Sequence, residues 1–391
     1  MKRKNLLLFL TCYIAYTSIY IARLNLSMAS PALKEAGILT TEQLGLLGSV
    51  FSVVYAAGRL VNGIISDRKP PWLMISAGLA TAGVANLMIG LFPPFPGILL
   101  LWSANGFAQS MLWSAVLRVV SALYSEAEAK KKSALMVTSV AAGNILGILV
   151  SLAVIDRWGV RWAFVIPGAV TLVLAFAAFL ALRRVPDSGP APAGHISLFR
   201  LLQDRQLQTA ACPAALHGLM RDNVTLWMTV FFVDRYGVQL NRTAGFVLLI
   251  PVLGFIGRIL YPVCYRLCGN QEHKVSQYGF LLCAASSALL CFSRLPPAAA
   301  MISLSLIYAA VSLINTSFLS IYPIRFASCG NIASVSGLMD FVTYLGAGIG
   351  SLAYGFVIRQ WGYMPMFFSW AILSVLSSLL LHRLIQRERN A

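Results

Sequence analysis

Charge is scarce in this chain, and acid above all. Thirteen Asp and Glu stand against 30 Lys and Arg in 391 residues, and charged residues together make up only 11%. A soluble domain carries about a quarter charged residues, so a soluble globular fold is excluded. Histidine is nearly absent, at four residues, and no spacing of His, Cys, Asp and Glu marks a metal centre; no metal and no cofactor are implied. The seven cysteines are odd in number and lie mostly in apolar stretches, which excludes a disulfide framework; Cys264 and Cys268 are one helical turn apart rather than a ligand pair. There is no glycine-rich nucleotide loop, which excludes an ATP-driven pump, and no nucleophile, base or metal constellation, which argues against an enzyme.

What the chain has instead is apolar length. Hydrophobic residues make up 58% and the mean hydropathy is +0.76. Apolar runs long enough to cross a bilayer as helices, about 20 residues each, recur twelve times, from residues 6–33 to 363–385. This is the pattern of an all-α integral membrane protein. The basic opening, Met1 to Lys4, is followed by an apolar run too long for a signal peptide, so it reads as a retained first helix. With both termini in the cytoplasm, 19 of the 30 basic residues fall in cytoplasmic segments, including Lys130 to Lys132, Arg183, Arg184 and the tail from Arg383 to Arg389. Cytoplasmic loops collect Lys and Arg, so a multi-pass protein of the cell membrane with both termini inside is expected. The net charge of +17 then reflects topology and contact with anionic membrane lipids, not nucleic acid, and a monomer is expected.

One long polar stretch separates the spans: residues 185–205, with Pro186, Gly189, Pro190, Pro192 and Gly194. It reads as a cytoplasmic linker between an N-terminal six-helix bundle, residues 1–184, and a C-terminal one, residues 206–391. The two halves repeat. Arg23, Asn25 and Ser27 recur 198 residues later as Arg221, Asn223 and Thr225. Gly58-Arg59 recurs as Gly257-Arg258, Gly143 and Gly147 as Gly346 and Gly350, and Trp158-Gly159 as Trp361-Gly362, the offset drifting only to 203. A duplication with small loop insertions produces such a drift. The turn after span two, with Gly63, Asp67 and Arg68, resembles the loop signature of the major facilitator fold: twelve transmembrane helices in two pseudo-symmetric six-helix halves. There the glycine allows close helix approach, and the acid and base can tie helix ends at the cytoplasmic side; its second copy, near Tyr265 to Asn270, has lost the acid.

An arginine at the centre of a bilayer costs about 2.5 kcal/mol or more and is a functional-site hypothesis by default. Tyr16, Tyr20, Arg23 and Ser27 follow spacings of four, three and four, so they share one helical face; His217, Arg221 and Thr225 share another, and Tyr55, Arg59 and Asn62 a third. Lipid cannot satisfy such donors, so these stripes face protein or water. Arginine offers two parallel donors to a phosphate or carboxylate edge and stays protonated. The acids within spans are too few to neutralise it: Asp340, and Asp222, which projects about 100° away from Arg221 on its helix. The resulting cavity is positive and calls for a small anionic substrate, with Arg23, Arg221, Arg59, Tyr16, Tyr20, Asn25, His217 and Asn223 as candidate ligands. Gly63, Asp67, Arg68 and Asp340, with Gly143, Gly147, Gly346 and Gly350 for close helix packing, are the candidate gating and structural residues. Arg118 reads as an interface residue, snorkelling from span four.

The run from Tyr16 through Arg23 and Asn25 to Pro31, followed by Gly45, the stretch from Tyr55 to Arg59 and the Gly63 to Arg68 turn, resembles the organophosphate:phosphate antiporter family. That family includes glycerol-3-phosphate and hexose-6-phosphate transporters, and the spacing from Arg221 to Trp227 matches as well. The resemblance covers both halves, with most of it in the first 70 residues. It implies that Arg23 and Arg221 bind the phosphoryl group and that Arg59 stands where the glycerol-3-phosphate member has a lysine. It also implies two departures: the family's span-five histidine has no counterpart in Ser139 to Asn144, and Asp222 replaces the tyrosine after the span-seven arginine. The function expected is a secondary transporter that exchanges a small organophosphate or related anion for inorganic phosphate by alternating access. Two alternatives stand beside it: a proton-coupled carrier of carboxylates or other small molecules, with Asp340 or His217 titrating, and a sugar-phosphate sensor of the same fold that does not transport.

Overall fold

The computed structural model describes residues 2–183, 185, 203–237, 240–292 and 294–390; most of the linker expected at 185–205 lies outside them. Fourteen α-helices follow in order: α1 (Lys2–Glu35), α2 (Thr41–Arg68), α3 (Pro71–Ile89), α4 (Phe95–Ser110), α5 (Leu112–Leu123), α6 (Glu126–Met136), α7 (Thr138–Trp158), α8 (Trp162–Leu182), α9 (Arg205–Tyr236), α10 (Leu240–Leu267), α11 (Glu272–Leu290), α12 (Pro297–Thr316), α13 (Ile332–Trp361) and α14 (Met364–Asn390). Helices α4 and α5 together make one span, as do α6 and α7, so the fourteen helices of the described residues correspond to the twelve spans expected from the apolar runs. Among the described residues, nine segments are long and apolar enough to cross a membrane by composition alone. The other three spans, α9, α10 and α11, are also helical, and α9 carries Arg221 and Asp222.

Local chemistry sets the helix ends. Thr40 and Gln43 form a reciprocal capping box at the start of α2, which satisfies two amide groups that have no partner within the helix. Proline opens α3 and α12 at positions where a missing N–H costs nothing. Gly159 (φ 90°) closes α7 and Gly362 (φ 75°) closes α13, each donating its N–H to the carbonyl four residues back at 2.9 Å. A side chain at either φ would be strained, so the repeated Trp-Gly dipeptide is a repeated helix stop.

The chain divides into two compact units: residues 1–196 with 323–338, and residues 197–322 with 339–391. In the first, α1 packs on α7 and α8, α3 on α4 and α8, and α2 on α4. A Cβ on Gly143 would lie 2.7 Å from the Thr17 carbonyl oxygen, and one on Gly147 would lie 2.9 Å from that of Tyr20. In the second unit, α11 packs on α12 and α14, and α9 on α12 and α14. There Gly346 and Gly350 seat α13 against Ala215, Leu219 and Asn223 of α9. The glycine pair of each repeat thus brings its helix against the arginine-bearing helix of the same repeat, at corresponding heights. Large apolar side chains cover the outside, such as Leu100 at 71% and Leu352 at 83% exposure, a surface that only hydrocarbon solvates without penalty.

Candidate functional site

In the first unit, α1 and α2 place two arginines around one tyrosine. The Arg23 guanidinium carbon lies 4.7 Å from the centre of the Tyr55 ring, 4.9 Å from that of Phe51 and 5.8 Å from that of Tyr20. Arg59, 2% exposed, lies 5.7 Å from the same Tyr55 ring. Aromatic faces hold a cation through their quadrupole, worth about 0.5–2 kcal/mol each, without cancelling its charge. Tyr16, 4% exposed, packs on Trp113 at 4.9 Å and on Tyr20 at 5.9 Å, so it supports the ring cluster from behind.

Asn25 has a different role from the one its spacing implies. It is fully buried, donating to Asn86 Oδ1 at 2.7 Å and to the Ala163 carbonyl at 3.0 Å, while its own oxygen accepts the Leu26 N–H at 2.9 Å. Asn86 donates in turn to the carbonyls of Ala22 and Ala82, Asn105 donates to that of Ala22, and Gln109 donates to Asn105 Oδ1 at 3.0 Å. This amide network ties α1 to α3, α4 and α8 directly behind the Arg23 backbone. In this structure the Asn25 side chain is engaged in helix packing. Asn86, Asn105 and Gln109 escaped the sequence reading, although each is an amide in an otherwise apolar run.

In the second unit, Arg221 donates Nε to Asp222 Oδ1 at 2.6 Å, Nη2 to Asp222 Oδ2 at 3.2 Å and Nη1 to Asn315 Oδ1 at 3.4 Å, with the Tyr344 ring 5.0 Å away. Helical geometry directs the Asp222 Cβ away from Arg221, yet the side chain folds back to make a two-pronged pair. The expectation that Asp222 points elsewhere is corrected. His217 is fully buried, beside the backbone of Ala214 and Val311. Asn223 is fully buried too, donating to the Leu219 carbonyl at 2.7 Å and accepting from Trp227 Nε1 at 3.1 Å. Asn223 thus spends its amide within its own helix, whereas both ring nitrogens of His217 are buried without a hydrogen-bond partner.

The turn after span two builds a clasp in the first unit. Asp67, 2% exposed, accepts the Ala333 N–H at 2.9 Å and the Ser334 N–H at 2.7 Å. These are first-turn donors of α13 that no residue of their own helix can satisfy, and a carboxylate also suits the positive end of a helix. Gly63 permits the approach: a Cβ there would sit 2.6 Å from the Ala333 carbonyl oxygen. Arg68 is exposed and Arg118 takes the basic role, donating to the carbonyls of Ser66 and Lys69 at the end of α2. The signature arginine is thus exposed, and Arg118, the arginine expected to snorkel, is 8% exposed. Asp340 is buried in α13. Among the described residues no group of three or more His, Cys, Asp and Glu converges as a metal site.

Residues 12–350 match the Major Facilitator Superfamily. The membrane sensor protein UhpC of Salmonella typhimurium is 24% identical over 409 residues, covering 96% of this chain and 90% of its own. The glycerol-3-phosphate transporter of Bacillus subtilis is 26% identical over 408 residues, covering 93% and 88%. Among solved structures, the Major Facilitator Superfamily transporter FucP in the outward conformation superposes with a TM-score of 0.73 at 17% identity, over 98% of this chain and 99% of its own.

Proposed function

Because this chain belongs to the Major Facilitator Superfamily, we propose that it is a secondary transporter that moves a small organophosphate or related anion across the cell membrane in exchange for inorganic phosphate. In this reading the phosphoryl group is held by Arg23 from one repeat and Arg221 from the other, with Arg59 adding positive charge beside Tyr55. The observation that carries it is the Arg23 cage. Three aromatic rings, none of which carries a net charge, surround this guanidinium, and an arginine is the side chain whose fork matches a phosphate edge. The duplication of that arginine 198 residues on, and relatives over nearly the whole chain that include a glycerol-3-phosphate transporter, support the same class of cargo. The distribution of basic residues favours both termini in the cytoplasm.

Phosphate-loaded proteoliposomes, screened with labelled glycerol phosphate, sugar phosphates, phosphoglycerate and non-phosphorylated acids, test the reading. Uptake of a phosphate ester driven by internal phosphate, and its loss in Arg23→Lys and Arg221→Lys, is the expected result. Intact exchange in both variants sinks the assignment. The likeness to UhpC over 96% of the chain favours a second reading, a sensor that binds the same anion without moving it. Saturable binding of a phosphate ester in detergent with no uptake into vesicles would select it.

A further inference from the structure

The two copies of the arginine-bearing helix differ in the residue after the arginine, Leu24 in one and Asp222 in the other. Arg23 is packed on three rings. Arg221 is matched by a carboxylate, Asp222, whose two oxygens take the Nε and Nη2 donors at 2.6 and 3.2 Å. That parallel pair of donors is the edge an arginine offers a phosphate, so the chain supplies its own anion at the place where cargo would bind. Asn315 accepts from Nη1, and Tyr344 lies 5.0 Å from the guanidinium carbon. The Arg221 side chain is 18% exposed and the Asp222 side chain 41%. The carboxylate is therefore the more exposed member of the pair.

Strict exchange needs a barrier against reorientation of the empty carrier. Two cations brought together in a low-dielectric cavity provide one, because their repulsion grows as water is excluded, and a bound anion removes it. A carboxylate already seated on one of the cations removes part of it with no cargo present. We propose that Asp222 is a resident counter-ion that substitutes for cargo on Arg221, so that the unloaded carrier can return and net movement of the anion accompanies exchange. The inference rests on the reading of Arg23 and Arg221 as the anion grip. It carries a second consequence: cargo must displace the carboxylate, so the wild-type protein binds phosphate more weakly than a variant without it.

The test uses the full-length protein in phosphatidylethanolamine–phosphatidylglycerol vesicles with the membrane potential clamped. Labelled inorganic phosphate is offered to vesicles loaded with unlabelled phosphate and to phosphate-free vesicles. The wild type is expected to fill phosphate-free vesicles at a rate within about fivefold of the exchange rate, and Asp222→Asn to lower that ratio at least tenfold while tightening phosphate binding about tenfold. Asp222→Glu, which keeps the carboxylate, is expected to keep the wild-type ratio. Brisk exchange by the wild type with no entry into phosphate-free vesicles overturns the inference, whatever the fate of the variants. An unchanged ratio in Asp222→Asn overturns it as well, and weaker binding in that variant would make Asp222 an orienting residue for Arg221 instead. Absence of both phosphate binding and flux in the wild type overturns the anion-carrier reading itself.

Discussion

Asn25 donates to Asn86 at 2.7 Å across the interface of α1 and α3, and the bond lies one turn or less from the backbone of Arg23. Both amides are fully buried, in helices whose outer faces meet lipid. Truncation of one leaves the other with an unmet donor or acceptor, at a cost of about 1–3 kcal/mol. Asn86→Ala is therefore expected to lower the melting temperature in detergent clearly, whereas Ser27→Ala, at an exposed position of α1, is expected to leave it unchanged. Equal melting of the two variants would remove the network from the account of how α1 is held.

In the proposed site Arg23 grips the phosphoryl group through its planar fork, and a lysine in its place keeps the charge but loses the second parallel bond. Arg23→Lys is expected to weaken phosphate binding about 10- to 100-fold, the value of a charge-assisted bond or two. Tyr55→Phe keeps the ring and is expected to hold affinity within about twofold, while Tyr55→Leu loses the cation–π contact and weakens binding by about 0.5–2 kcal/mol. Equilibrium binding of labelled phosphate to the purified protein separates these outcomes.

Asp67 and Arg118 form the clasp, and Arg68 does not. Asp67→Asn and Arg118→Gln are each expected to destabilise the protein by about 1–2 kcal/mol through lost charge at helix ends. Arg68→Gln is expected to change stability by less than about 0.5 kcal/mol. Thermal melting of the three variants in one detergent checks the order, and a larger loss for Arg68→Gln contradicts it.

On α13, Gly346 presses on the Ala215 carbonyl whereas Gly348 has nothing within 4 Å. Gly346→Val should disrupt the seat of α13 on α9, at a cost of about 1–3 kcal/mol or more. Gly348→Ala is expected to be neutral or slightly stabilising, since alanine is the better helix former. Expression level and melting temperature of the two variants report the difference.

Tyr363, in the turn between α13 and α14, donates its hydroxyl to Asp234 at 2.6 Å. Burial, and then the neighbouring carboxylate, raise its pKa above the usual phenol range. The folded state thus holds a proton that the unfolded chain gives up near pH 10. Stability from this bond is present below that pH and is lost as pH rises through the folded value. Tyr363→Phe is expected to flatten the fall in melting temperature between pH 9 and 11, and a fall equal to the wild type's would show that the bond contributes nothing.

Much of this was legible before any coordinates. Length of apolar run determines where helices cross, and the drift from 198 to 203 between copies fixed which helices correspond. The Trp-Gly stops and the paired glycines then occupied matching places. Polar side chains were harder, for physical reasons. Spacing shows that Asn25, His217 and Asn223 lie on a helix with an arginine, but not whether the nearest partner is cargo, another amide or a carbonyl of a helix 60 to 140 residues away. Asp222 and Arg118 were misread for a related reason. A Cβ direction is set by the helix, and two or more further bonds let the charge travel back to a neighbour or a helix end.

The clasp at Asp67 also bears on how the gene can be divided. Residues 323–338 come late in the chain yet belong to the first compact unit, and their amide groups at Ala333 and Ser334 satisfy a carboxylate made 266 residues earlier. A ribosome that has released the first six spans has therefore not yet delivered the last piece of that unit. Of two separately translated fragments split at the linker, the amino-terminal one would emerge incomplete, with a buried, unmatched carboxylate until its counterpart arrived.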